Sequence, residues 1–300
     1  MNLTALAWRW VPKLPEGLAR VGFALAADLA SARGGKAVRQ LSANLARVRP
    51  DLDQTALRRL TREGMRRYLR YYCEAFQLAN WEPERIARMV RLADEERVRA
   101  EFGPRPQVIV ALAHMGNWDL AGAWAAKALG PITTVAEHLE PEVVFQDFLA
   151  MRRKIGLNII ALDKGRPVFR ELVAVTRTTE PWVIPLLADR DLGHSGVEVD
   201  FFGRKALMAP GPAALALATV RPLYAAAMYR EQASYGLEFS SRIEVPAGLS
   251  RTEQVQVMTQ AWASFLEGAI RRHPADWHML QKVFIEDLDP ERLAQVRGAA

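Results

Sequence analysis

The chain has 300 residues, half hydrophobic and a quarter charged, an ordinary globular balance with enough apolar material for a sizeable core. Its one cysteine, Cys73, excludes an intrachain disulfide and fits a reducing compartment; with Tyr71, Tyr72, Glu74 and Phe76 around it and no adjacent cation, it reads as a packing residue rather than a nucleophile. The net charge of +6 gathers at one end: residues 1–100 hold 19 basic and 11 acidic side chains, and residues 33–70 alone hold 11 and 3. Such a face suits an anionic partner (acidic lipid headgroups, nucleic acid or a phosphorylated ligand) or is a solvated helix surface.

The chain opens LTALAWRWVPKLPEGLARVGFALAADLA. Trp8, Arg9, Trp10 and Lys13 interleave aromatic rings with cations, and a mostly apolar helix follows; this suits the bilayer interface, the alternative being a helix packed on the domain. The apolar stretch 21–27 sits between Arg20 and Asp28, unlike a cleavable signal peptide. No uncharged run reaches the roughly 18 residues of a transmembrane helix, and the nearest, 206–220, carries Pro210 and Pro212. Residues 1–100 read as helical, with spaced apolar positions over 37–46 and 54–79 and breaks at Pro50 and around Pro83.

The pattern changes after Pro106. Short apolar runs at 107–113, 132–136, 157–162, 182–188 and 197–202 read as strands, and 120–129, 141–155 and 168–176 between them read as helices. A helix at 212–219, strands at 222–229 and 235–245, and a long amphipathic helix at 252–273 complete the series. Strands alternating with helices predict an α/β fold: a mostly parallel central sheet with helices on both faces, preceded by a helical third. With no repeat and no low-complexity linker, residues 1–300 are expected to form a single domain, its membrane-proximal part at 1–100 and its catalytic part at 101–300.

His114, Met115, Gly116, Asn117, Trp118 and Asp119 close the first strand of that series and precede a helix. On a continuous helix His114 and Asp119 would diverge by about 140°. With a turn at Met115 and Gly116 and a helix opening at Asn117 or Trp118, Asp119 falls in the first helical turn, within reach of the imidazole. A carboxylate there can orient a ring nitrogen and stabilise the imidazolium of a general base. The carboxyl ends of strands in open α/β sheets are where ligands bind, and a helix start offers backbone N–H groups to an oxyanion. A structural histidine is the competing explanation.

Asp189 and Arg190 follow the strand at 182–188 and so lie near the same sheet edge; Glu198 and Asp200, two apart, share a strand face that either meets the site or meets solvent. Arg152, with Arg153 and Lys154, is a phosphate-binding candidate or a helix C-terminus where cations are favourable. His273 and His278 have loose metal-like spacing, but no cysteine or acidic cluster accompanies them, so no metal is expected. Dinucleotide, P-loop and serine-hydrolase motifs are absent.

At HMGNWD the chain resembles the bacterial late lipid A acyltransferases and, more closely, the actinobacterial phosphatidylinositol mannoside acyltransferases. The likeness extends through ALAHMGNWDLAGAW, TTVAEHLEPE, MRRKIGL, LLADRDL, GVEVDFFGRKALMAPGPAALAL and HPADWHMLQKVF. The resemblance implies an acyl-CoA co-substrate and no cofactor, a hydrophobic channel for the acyl chain, and a mannose hydroxyl of a phosphatidylinositol mannoside or similar glycolipid as acceptor. It implies a peripheral enzyme on the cytoplasmic face of the plasma membrane, bound to an anionic surface and not to nucleic acid. His114 and Asp119 match its His-x4-Asp motif, Arg152 an arginine of its site, and Glu198 a glutamate that pairs with the histidine; Asn117, Trp118, Asp189 and Arg190 are expected to contact substrate. His138 and Arg204 depart from the family pattern, where an arginine and an acidic residue are common. Rival expectations are a lysophospholipid acyltransferase, an acyl-CoA thioesterase, and a non-enzymatic lipid- or nucleic-acid-binding protein.

Overall fold

The computed structural model describes residues 7–8, 10–138, 140–163, 165–191, 195–291 and 293–294. After a 3-10 turn at Val11–Lys13 come three helices, α1 (Glu16–Arg33), α2 (Lys36–Val48) and α3 (Gln54–Leu78). Val38, Leu41, Leu45 and Val48 fall at helical spacing, and α2 buries all four. Asp53 starts α3 by accepting the Ala56 N–H at 2.7 Å. Then follow α4 (Pro83–Met89), β1 (Val90–Leu92) and α5 (Glu95–Phe102).

The second part runs β2 (Gln107–Leu112), α6 (Trp118–Ala128), β3 (Ile132–Glu137), α7 (Glu142–Lys154), β4 (Leu157–Leu162), α8 (Val168–Val175) and β5 (Trp182–Leu187). It continues with β6 (Val197–Phe201), β7 (Arg204–Met208), α9 (Gly211–Thr219), β8 (Leu223–Arg230), β9 (Tyr235–Phe239) and α10 (Arg251–Arg272). Seven strands form one sheet in the order β1-β9-β8-β2-β5-β3-β4, parallel except where β8 meets β9. Its central strands are buried on both faces, which is why they read as unbroken apolar runs. Val108 and Val110 join a core with α6 and α7, while Ile109 and Ala111 join a second core with α9 and α10. The expected α/β architecture with its helical N-terminal part is therefore the observed one.

The strand expectations need three corrections. Residues 90–92, expected to be helical, form β1 and extend the sheet beside β9; three residues are too few to carry a period. The strand expected at 235–245 stops at Phe239, where the Ser240 hydroxyl accepts the Ala225 N–H at 2.9 Å and ends the ladder. The run at 197–202 does not join the sheet. It turns at Phe202 and Gly203, both at positive φ, into the hairpin β6–β7. That hairpin lies on α10, where the Gln260 side chain accepts from the Asp200 N–H at 2.8 Å and donates to its carbonyl at 2.9 Å.

Candidate active site

Leu112 of β2 lies in register with Leu187 of β5, so two residues further on His114 faces Asp189. The His114 Nδ1 to Asp189 Oδ1 distance is 2.6 Å, and the His114 backbone N–H donates to Oδ2 at 3.0 Å. A second donor reaches Oδ2, the Trp277 indole N–H at 2.9 Å. Burial alone would raise the Asp189 carboxyl; the His114 charge and these donors outweigh it and hold the group below the usual carboxylate range. An ionised carboxylate accepts only, so Nδ1 bears a proton in either state of the ring, and in the neutral imidazole the lone pair is on Nε2. The His114 side chain is 18 % exposed and lines a cavity of about 690 Å³.

The turn after His114 depends on Gly116, at φ +63°. A Cβ there would stand 2.4 Å from the Met228 carbonyl oxygen on β8, a contact that backbone cannot relieve. We expect Gly116→Ala to abolish activity and lower the thermal midpoint by several degrees, measured by a melting curve beside an activity assay; an active, equally stable variant would show that the turn has another solution. The C-terminal segment holds the turn from outside. Gly116 N–H donates to the Asp276 carbonyl at 2.9 Å, His278 N–H to the His114 carbonyl at 2.7 Å, and Met115 bridges Trp277 in antiparallel fashion. The His278 ring Nε2 lies 3.0 Å from the Gly116 carbonyl, and burial lowers this imidazole's pKa to about 3, so it is neutral and donates there.

Asp119, 2 % exposed in the first turn of α6, does not reach His114. It accepts from Arg152 Nε at 2.8 Å and Nη2 at 3.3 Å, and from the Tyr71 hydroxyl at 2.7 Å. Burial works against the Arg152 charge, but the Asp119 carboxylate outweighs it and raises the guanidinium pKa, so Arg152 stays charged. Tyr71, fully buried beside that carboxylate, has its pKa raised and stays protonated. Asp119, Arg152, Trp118 and Arg190 all line the cavity with His114. The Trp118 ring lies edge-on to His114 at 5.6 Å between centroids, and Arg190 pairs with Glu137 at 3.5 Å. The cavity lining includes apolar groups, among them Gly122, Ile132, Phe148 and Leu157, and more polar ones, among them Tyr68, Tyr72, His278 and Gln281.

Besides Asp119, expected within reach of His114, three expectations change. Asp189, expected to touch substrate, is wholly buried and is the carboxylate partner of His114. Glu198, expected in that place, sits on β6 with Lys205 Nζ 4.0 Å away; it does share a face with Asp200, but that face turns to Lys205 and solvent. Asn117 is wholly buried and caps α6, accepting the Leu120 N–H at 3.0 Å and donating to Glu74 at 2.9 Å, so it supports the turn rather than lining the cavity. Tyr71, Glu74, Trp277 and His278 were not anticipated as parts of the site. Among the described residues no cluster of histidine, cysteine or carboxylate side chains is arranged to hold a metal.

Residues 1–285 match the family model described as bacterial lipid A biosynthesis acyltransferase. The chain is 37 % identical over 295 residues to a phosphatidylinositol mannoside acyltransferase of Mycolicibacterium smegmatis, covering 97 % of this chain and 93 % of that protein. It is 35 % identical over 297 residues to a protein of the same name from Mycobacterium tuberculosis, covering 98 % and 91 %. With a family match across nearly all of its length, and with His114 and Asp119 both at the cavity, the chain belongs to the bacterial lipid A biosynthesis acyltransferase family.

Proposed function

We propose that this acyltransferase moves a fatty acyl group from acyl-CoA to a mannose hydroxyl of a phosphatidylinositol mannoside, with His114 as general base. The observation that carries this reading is the imidazole at the cavity wall, with Nδ1 on a buried carboxylate and Nε2 left to the cavity. Nε2 takes the hydroxyl proton as the alkoxide oxygen attacks the thioester carbonyl carbon. The tetrahedral intermediate collapses, the carbon–sulfur bond breaks, and the leaving thiolate takes the proton back from Nε2–H. Ester and free thiol are the products. The N–H groups of His114, Met115, Gly116 and Leu120 are already held by Asp189, Ala113, Asp276 and Asn117. We favour Arg152, charged and at the cavity wall, as the oxyanion donor. The apolar part of the lining suits an acyl chain and the names of the relatives suggest the acceptor. Incubation with acyl-CoA and purified phosphatidylinositol mannoside should yield the acylated glycolipid by mass; release of free fatty acid alone would make the protein a thioesterase instead.

The acceptor class calls for a membrane contact, and none of the described helices is long and apolar enough to cross a bilayer. We assign the contact to α1, where Leu18, Val21, Leu25 and Leu29 lie on one face and are 66 %, 58 %, 64 % and 52 % exposed. Trp10 is exposed beside it, with Lys13 over its ring. Trp8, expected at the headgroups, instead packs edge-on against Phe76 and Phe148, and Arg9 lies outside the described residues. The basic run at 33–70 is also less available than its count suggests, since Arg47, Arg49, Arg62, Arg66, Arg67 and Arg70 all form ion pairs within the protein. We expect the double variant Leu18→Ser, Leu25→Ser to bind vesicles containing phosphatidylinositol at least several-fold more weakly in co-sedimentation, and to keep acylating an acceptor dispersed in detergent. Undiminished pelleting would place the contact elsewhere.

A further inference from the structure

We infer that Trp277 is a positioning residue of the reaction, its indole N–H fixing the Asp189 carboxylate against His114. This deepens, and rests on, the reading of His114 as the base. Trp277 is wholly buried and is not among the residues lining the cavity, so it acts through another group. The indole N–H groups of Trp8, Trp118, Trp182 and Trp262 are buried without a hydrogen-bond partner, so this fold tolerates unpaired indoles. That of Trp277 instead donates to the oxygen of Asp189 that the His114 backbone N–H also meets.

The geometry leaves the carboxylate little freedom. Oδ2 is held by two donors, so Oδ1 is held in the plane that meets Nδ1. Position 277 is fixed in turn by its antiparallel bridge to Met115 and by flanking bonds from Gly116 to Asp276 and from His278 to His114. One short segment thus grips both members of the pair, the histidine by its backbone and the aspartate by an indole. The ring is seated against Phe201 and Phe202, with centroids 5.8 and 6.1 Å away, so a phenyl ring can occupy most of its space.

Removing the N–H has two consequences. The carboxylate can rotate out of the imidazole plane, which lowers the rate. Its charge, no longer shared with the indole, also bears more fully on the imidazolium, which moves the acid limb of the pH–rate profile upward. The other titratable or charged groups near the pair are Asp191 in the same cavity, the Asp119–Arg152 pair, Arg190 and, beyond the neutral His278, Arg67 with Asp276, whose carboxyl burial raises to about 6; Trp277 makes no hydrogen bond to any of them.

The test measures kcat, KM and the pH profile of Trp277→Phe. A second variant carries β-(3-benzothienyl)alanine at position 277, which puts sulfur in place of N–H while keeping the ring's shape. It decides the matter if the phenylalanine variant does not fold. We expect kcat to fall about ten- to a hundredfold, the loss of one hydrogen bond to a charged group. We also expect KM for both substrates to stay within about twofold and the acid limb to rise by roughly one pH unit. On an Asp189→Asn background the same change should cost less than about twofold, because the charge and the Nδ1 acceptor that the indole holds in place are already lost, although the amide oxygen can still meet the indole N–H. Losses that multiply, or an unmoved acid limb with near-normal kcat, overturn the inference. If His114→Asn keeps more than a tenth of the wild-type rate, the base reading fails; if His114→Asn is inactive, Asp189→Asn is crippled and both position-277 variants are normal, only this inference fails.

Discussion

Asp189→Asn is expected to lower acyl transfer by about 10²–10⁴-fold while leaving the fold and substrate binding close to intact. The carboxylate accepts three N–H donors, two at Oδ2 and one at Oδ1. An amide has one acceptor oxygen, and it must serve the doubly bonded position, leaving its NH2 towards His114 Nδ1. Nδ1 then has to accept, and the ring proton moves to Nε2, where the lone pair is needed. The same base is present in the wrong tautomer. Nitrogen chemical shifts of His114 read that change directly, beside a rate measurement and a melting curve. A variant that keeps more than a tenth of the wild-type rate would show that Asp189 does not set the tautomer.

His114→Ala is expected to lower transfer by a similar factor, about 10²–10⁴-fold, the range that loss of a general base gives. It carries a stability cost that Asp189→Asn does not. Asp189 is fully buried, and removing one partner of a buried charged pair costs about 3–5 kcal/mol where the charge is left uncompensated. Here the His114 backbone N–H and the Trp277 indole remain as donors, so the loss falls at or below the lower end. His114→Asn separates the two effects: its amide N–H can still meet Oδ1, yet it has no basic nitrogen. Both variants should be inactive, and the asparagine variant should melt closer to wild type. Residual activity above a tenth in either would remove His114 from the role of base.

Asp119 keeps a different task in this scheme. Its two oxygens hold Arg152 and the Tyr71 hydroxyl, so it places a guanidinium at the cavity wall rather than steering the imidazole. The family motif thus joins two sub-sites through one turn and one helix start: a proton acceptor on the strand end, and an anchor for a cation on the helix.

Much of this was legible in the chain before any tertiary contact was known. Alternating apolar runs and helical stretches determined a parallel α/β sheet, because strands buried on both faces must be apolar throughout. The run ending at His114, with Gly116 and Asn117 after it, determined a strand end, a tight turn and a helix start, since these are local backbone requirements. Cys73 as a packing residue was equally local; burial raises its thiol to about 11. What remained open was everything that depends on which strands are neighbours. The turn and the helix start place Asp119 near His114 along the chain, yet the register of β2 on β5 places Asp189 opposite it, although two strands and three helices separate them in sequence. Residues 197–202 looked like another sheet strand, and only packing on α10 made them half of a separate hairpin with Glu198 at its surface. The HPADWH segment gave two loosely spaced histidines and no visible partner, and the fold brought it against residues 114–116 to hold the turn after β2 from outside. Local backbone preference is written residue by residue. Which carboxylate meets an imidazole is decided by strand order, which no window of the sequence contains.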